Sequence, residues 1–393
     1  MTPSPGRTLF SLCEGGRFHA VLVRAGLAGG VRGRLVLVAA ILAVGWLPLV
    51  VLSALDGTVF AGVDVPLVRD LGMWVRFFVV VPVLVLVEPL VDRGLGLALE
   101  QFRLSDLIPA EHGVAFEGEV EKAQRAATSD TVELIIVGVA LLLPHTAEAV
   151  APSWLAGHTA WLGTSVAGAL VPTAAGRWAL WLSLPLVEFL LLRWLWRTLA
   201  WWRLLWRIAR FPLDLAPSHP DRTGGLAFLS SVSRAFVPVF VAVSALASGS
   251  LAVQIGIGGR PLTDARVPIA ALLVLELVLL MVPQFFFAPV LGRARRRSLR
   301  HFEATAGAMA RTFEDRWTGP QAEGPEPLLD SNHAGSMADF ASVFERVAAM
   351  RPVSLSLREV VGIAVPLAVP FAPLLLYEFS AKEILQVVIG MVR

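Results

Sequence analysis

Apolar residues run through this chain in long unbroken blocks, not in the short alternations of soluble surface elements. A helix needs about 20 mostly apolar residues to cross a hydrocarbon core ~30 Å thick. Seven stretches meet that test: 35–55, 74–91, 131–150, 178–196, 226–255, 267–291 and 360–379. The stretch 154–172 is also apolar, but Gly, Thr, Ser and His interrupt it, and it reads as a loop or re-entrant piece. Between the sixth and seventh stretches the period changes. Phe302, Met309, Phe313 and Trp317 recur at helical spacing, and so do Met337, Phe340, Phe344 and Val347, each set lining one face. This predicts two amphipathic helices packed on each other, with a partner-binding surface as the alternative. A further amphipathic helix, Phe116 to Arg125, is expected to run on into the third apolar stretch. The fold predicted is all-α: a polytopic membrane protein of seven transmembrane helices with cytoplasmic helical extensions.

Composition strengthens this picture. Of 393 residues 56% are hydrophobic and 16% charged, whereas soluble domains carry about 25% charge. Such a chain has too little polar surface for a soluble enzyme on a single anchor, a coiled coil or a disordered segment. A lone cysteine, Cys13, excludes a disulfide scaffold. The first 26 residues lack the apolar core and cleavage site of a secretory leader, so the first span is expected to act as its own insertion signal.

Net charge says little, but its placement says much. The basic residues are 31 Arg and only 2 Lys, a bias typical of high-G+C coding, and they carry no nucleic-acid signal. Of these 33, 25 fall in segments 7–34, 93–125, 193–222 and 293–358, and 7 fall in the alternate segments. Basic residues are retained on the cytoplasmic side during insertion. The expected layout is therefore a cytoplasmic segment 1–34, a membrane region 35–291 holding six spans, a cytoplasmic helical segment 292–359, a last span 360–379 and an external amphipathic tail 380–393. The expected location is a bacterial inner membrane, with the N-terminus inside. Expected partners are lipids with anionic headgroups on the cytoplasmic side, with a homo-oligomer left open. No cofactor or metal is expected.

Charges inside the spans are the first functional lead, because each costs about 2.5–3.5 kcal/mol to insert. Glu188, Arg234 and Glu276 lie near the middle of spans four, five and six, and one Arg with one of two Glu would pair and leave the other to ionise. Either a structural ion pair or a conducting or proton-relay role fits. Glu88, in EPLVD with Asp92, lies nearer a span end and reads as snorkelling. Every span contains proline, and a proline frees a backbone carbonyl one turn earlier. Pro185 near Glu188, and Pro283 and Gln284 near Glu276, are the suggestive cases.

The fourth span continues as RWLWRTLAWWRLLWRIARF. On a helical wheel Arg193, Arg197, Arg203, Arg207 and Arg210 form one stripe, with Trp and Leu around the rest. An interfacial anchor is the plain reading, and an anion or lipid-headgroup site including Arg222 the sharper one. The loop that follows holds His219, Asp221, Gly224 and Gly225. It suits a turn into a helix N-terminus, whose free N–H groups would suit an anion. A metal reading would need a remote His112, His301 or His333, and no ligand spacing supports it.

The segments HPDRTGGLAFL (His219 to Leu229), WRLLWRI, EPLVD, FEDRW and SMADFASVFERVAAMRPV together carry a resemblance. The chain resembles a family of uncharacterised bacterial multi-span inner-membrane proteins with an H-P-D-x-x-G-G-L loop. This resemblance covers most of the chain and implies no activity. In topology alone, without shared motifs, the chain is similar to the seven-span insect chemoreceptor channels. The leading expectation is an ion channel or ion-coupled transporter. Alternatives are a membrane enzyme acting on a lipid or phosphorylated substrate at the cytoplasmic face through His219 and Asp221, or a scaffold or sensor with a cytoplasmic partner. The absence of a nucleophile–base pair, phosphate loop or metal motif weighs against the enzyme.

Overall fold

The computed structural model describes residues 10–27, 30–146, 159–166, 169–317, 333–353 and 356–378. It is mostly helical. Helix α1 is Gly16–Arg24, α2 Gly30–Leu55, α3 Leu71–Leu104, α4 Ala110–His145, α5 Ala174–Ile208, α6 Phe228–Gly256, α7 Leu262–Trp317, α8 His333–Ala348 and α9 Leu357–Tyr377. Seven of these, α2 to α7 and α9, are long and apolar enough to cross a membrane. They match the seven apolar blocks one for one, and most extend further. The expected tail 380–393, the connector 318–332 and the stretch 147–158 lie outside the described residues.

Two features depart from the expected all-α chain. Residues 159–166 and 169–172 form a small antiparallel sheet, β1 Thr159–Ala160, β2 Gly163–Val166 and β3 Ala169–Pro172. Trp161 anchors it, fully buried, with its indole N–H donating to Asp70 Oδ2 at 3.0 Å. The first part of α4 is also not continuous with the rest: the helix breaks at Thr128–Ser129, between Gly113–Ala127 and Asp130–Leu142.

Helices α3 and α5 share one construction. Asp70 and Thr173 cap them by accepting from Met73 N and Gly176 N. Six residues after the cap each widens into a π turn, Arg76–Val80 and Ala179–Ser183, just ahead of Pro82 and Pro185. Proline lacks an N–H and presses on the carbonyl one turn back, and a wider turn relieves both defects.

Breaks elsewhere leave carbonyls without helical donors, and these need other partners. Three tryptophans of α5 supply them. Trp178 Nε1 donates to Val44 O (3.1 Å), whose helical donor is missing at Pro48; Trp194 Nε1 donates to Leu84 O (2.9 Å) ahead of Pro89; Trp196 Nε1 donates to Ala126 O (2.9 Å) at the α4 break. These indoles pin α5 to three neighbours, and for Trp194 and Trp196 this corrects the reading as interfacial anchors.

Helices α5 and α6 form the centre. Gly249 of α6 meets α3 closely: a Cβ there would stand 3.1 Å from the Val75 side chain and 3.3 Å from Gly72 Cα. Helix α7 has 56 residues, ~84 Å at 1.5 Å per residue, so it runs far beyond a bilayer core. As predicted, α8 packs back on this extension. Phe302 and Phe340 stack at 5.6 Å and Arg295 Nη2 donates to Ala348 O at 2.8 Å. Phe340 and Phe344 are half-buried there.

Candidate functional site

One group of buried polar side chains lies between α6 and α7. Glu276, 2% exposed, accepts from Ser244 Oγ at 2.6 Å through one carboxylate oxygen. Gln284, 1% exposed, donates from Nε2 to Ser233 Oγ at 3.3 Å. The remaining oxygen of each, Glu276 Oε1 and Gln284 Oε1, is buried and has no hydrogen-bond partner among the described residues. Such groups are rare and call for an explanation. Eight residues apart on one helix, the two side chains share a face and lie ~12 Å apart along the axis. Between them Pro283 removes the donor for the Leu279 carbonyl. Leu279, Pro283, Ser233 and Thr198 line a void of ≈10 Å³ between α5, α6 and α7, close to the space one water needs. Further along α6, Ser248 Oγ donates to Pro370 O of α9 at 2.7 Å.

The expected Glu188–Arg234–Glu276 set is not assembled. Arg234 is exposed, and its charge acts on Glu359 of α9. Glu188 is half-buried on α5, where the charge acting on it is Arg76 of α3. Helical phase is the reason, since Arg234 sits one position beyond the inward Ser233.

The buried ion pairs among the described residues lie instead where α5 meets α3 and α4. Arg197, 3% exposed, contacts Glu88 Oε1 at 2.7 Å and donates to Cys13 O at 3.3 Å. Arg193, 6% exposed, lies 3.7 Å from Glu133 Oε1 and 4.4 Å from the centre of the Phe18 ring. Segment Phe10–Phe18 is threaded onto this cluster. Ser11 Oγ hydrogen-bonds to Asp92 Oδ2, Leu12 N donates to Asp92 Oδ1 (3.1 Å) and Phe18 N donates to Glu133 Oε2 (3.0 Å). Gly16 makes the approach possible at φ +78°, where a Cβ would stand 3.0 Å from the Glu133 carboxylate. Burial holds the Cys13 thiol well above its ordinary pKa, with Arg197 opposing in part.

The Arg stripe of α5 is therefore split. Arg193 and Arg197 point inward and are consumed by carboxylates, so they are not headgroup ligands. Arg203 and Arg210 are exposed, Arg207 is half-buried, and Arg210 stacks on the Trp206 ring at 3.4 Å. Glu88 is an ion-pair partner and does not snorkel.

The loop after α5 is a turn built around Asp221. Burial pushes its carboxyl pKa up, but N–H donors from Thr223 (2.8 Å), Gly225 (3.0 Å) and Ala227 (3.1 Å) prevail and hold it below the ordinary value. Those donors are the ones the sequence reading offered to an anion, and the chain's own carboxylate occupies them. His219 Nδ1 lies 2.9 Å from Asp221 Oδ1. Arg222, Gly224 and Gly225 all have positive φ, and Arg222 O accepts from Arg351 N at 2.7 Å.

Sequence reasoning missed Ser11, Glu133 and the serines of α6, and it read Asp92, which holds Ser11 and Leu12, as snorkelling. A signal for the first set was present: Glu88/Asp92 and Arg193/Arg197 are both i, i+4 pairs of opposite sign on different spans. Compared with known proteins, the chain matches no family model, no curated protein and no solved structure.

Proposed function

We propose that the protein is an integral membrane protein of the bacterial inner membrane, N-terminus inside and C-terminus outside, that moves protons or small cations along the α6–α7 interface. The observation that carries this reading is the pair of buried oxygens, Glu276 Oε1 and Gln284 Oε1, left without partners on one face of a proline-interrupted span. A carboxylate so placed is served by a proton or a cation, and ionisable groups within spans mark such pathways. Ser233 and Ser244 supply hydroxyls along the facing helix. The void by Ser233 and the Leu279 carbonyl bridge part of the distance between the two acceptors. Freed carbonyls next to broken helices are the usual cation ligands of transporters.

The enzyme reading draws less support, because the Asp221 carboxylate is saturated by backbone donors. The scaffold reading loses support, because Phe340 stacks on Phe302 of α7 and Phe344 is half-buried. The test is flux: purified protein in liposomes, under proton, sodium and potassium gradients in turn, should dissipate at least one gradient faster than protein-free vesicles.

A further inference from the structure

Helix α7 leaves its apolar stretch at Leu291 and at once presents Arg293, Arg296, Arg297 and Arg300. Their spacing, i, i+3, i+4 and i+7, puts all four on one face. All four are exposed, and none forms an ion pair among the described residues. They face the segment that leaves α5, and the two enclose an open groove of ≈920 Å³. Its wall is apolar at Phe211, Leu213 and Val290, and Asp214 is the one acid lining it. Arg210, stacked on Trp206, marks the same end of α5 with the Trp–Arg pairing of a membrane interface. One groove thus joins four uncompensated guanidiniums to an apolar wall at the level where the spans end.

We infer that this groove binds an anionic phospholipid, its phosphate held by Arg293, Arg296, Arg297 and Arg300 and an acyl chain laid along Val290 and Phe211. Guanidinium forks suit phosphate oxygens, and basic pockets at the cytoplasmic side of spans are suited to lipid headgroups. A free phosphate would use the arginines and leave the apolar wall idle. The inference rests on the membrane insertion proposed above, not on the ion pathway. Loss of flux with lipid binding intact would count against the pathway alone.

The test is native mass spectrometry of the purified protein in neutral detergent, titrated with short-chain phosphatidylglycerol, short-chain phosphatidylcholine and soluble glycerol phosphate. Phosphatidylglycerol should bind tighter than either of the others. Arg296→Gln with Arg297→Gln should weaken it by roughly ten-fold or more, while Arg311→Gln, farther along α7, should leave it unchanged. A monodisperse elution profile for each variant separates loss of the site from loss of the fold. Equal affinity for phosphatidylcholine, equal affinity for glycerol phosphate, or unchanged binding in the double variant would each overturn the inference.

Discussion

Arg197 of α5 and Glu88 of α3 meet at 2.7 Å, and the same guanidinium also reaches the backbone of Cys13. One buried cation thereby joins two spans to the N-terminal segment. Removing one member of such a pair leaves an uncompensated charge and costs about 3–5 kcal/mol, whereas replacing both with apolar groups is often near neutral. Glu88→Met or Arg197→Met alone should therefore destabilise strongly, and the double variant should recover most of the loss. Reversible unfolding in mixed micelles measures this. A double variant as unstable as the sum of the singles would show that the pair contributes no coupling.

The seating of residues 10–18 is open to chemistry through the single thiol. Cys13 is buried, and its pKa is raised, so it should react with maleimide far more slowly than an exposed cysteine near neutral pH. Gly16→Ala puts a side chain at φ +78° against Glu133, a strain of about 1–3 kcal/mol. Labelling in that variant should accelerate by roughly ten-fold, because opening of the segment exposes the thiol. Equal rates in the two proteins would mean that the segment does not depend on this turn.

Asp221 predicts an acid-labile joint. Its pKa is lower in the folded loop than the ordinary value of about 3.9, so the stability it confers is complete above that value and is lost as pH falls through the lower folded one. Asp221→Ala should cost about 0.5–2 kcal/mol at neutral pH, as loss of a helix cap does. It should also flatten the fall in stability below pH ~4. Melting curves at descending pH, with and without the substitution, report this. Parallel curves would remove Asp221 from the acid response.

The seven long apolar helices and the α7–α8 hairpin were legible in the sequence because long apolar runs and a 3.6-residue period each have one physical reading. The Asp221 turn was legible for a similar reason, since Asp two residues ahead of a buried Thr and a Gly pair is local chemistry. The buried pairs were not. Position along a span gives depth in a membrane, but it does not say which way a side chain faces. Arg234 at midspan was expected inside and lies outside, while Arg193 and Arg197 near a span end were expected at headgroups and lie inside. The partner that draws Arg197 inward includes the Cys13 carbonyl, 184 residues away, and long-range backbone contacts leave no local pattern. The small sheet at 159–166 and 169–172 escaped because its strands are only two to four residues long.

Orientation is checked by thiol accessibility. In a Cys13→Ser background, Phe60→Cys, at a site 78% exposed after α2, should react with a membrane-impermeant reagent in intact spheroplasts. Ser336→Cys on α8 should react only after the membrane is opened. The reverse pattern would invert the topology that the distribution of arginine supports.

The central claim is that Glu276 takes up the charge that crosses the α6–α7 interface. The most direct measurement is gradient-driven flux in liposomes for the wild type and for Glu276→Gln, which keeps the shape of the side chain and its bond to Ser244. Glu276→Asp serves as the conservative control. The account predicts measurable wild-type flux, a fall of about ten-fold or more in Glu276→Gln, and partial retention in Glu276→Asp. Wild-type vesicles no leakier than protein-free ones, or equal flux in the wild type and Glu276→Gln, would contradict it.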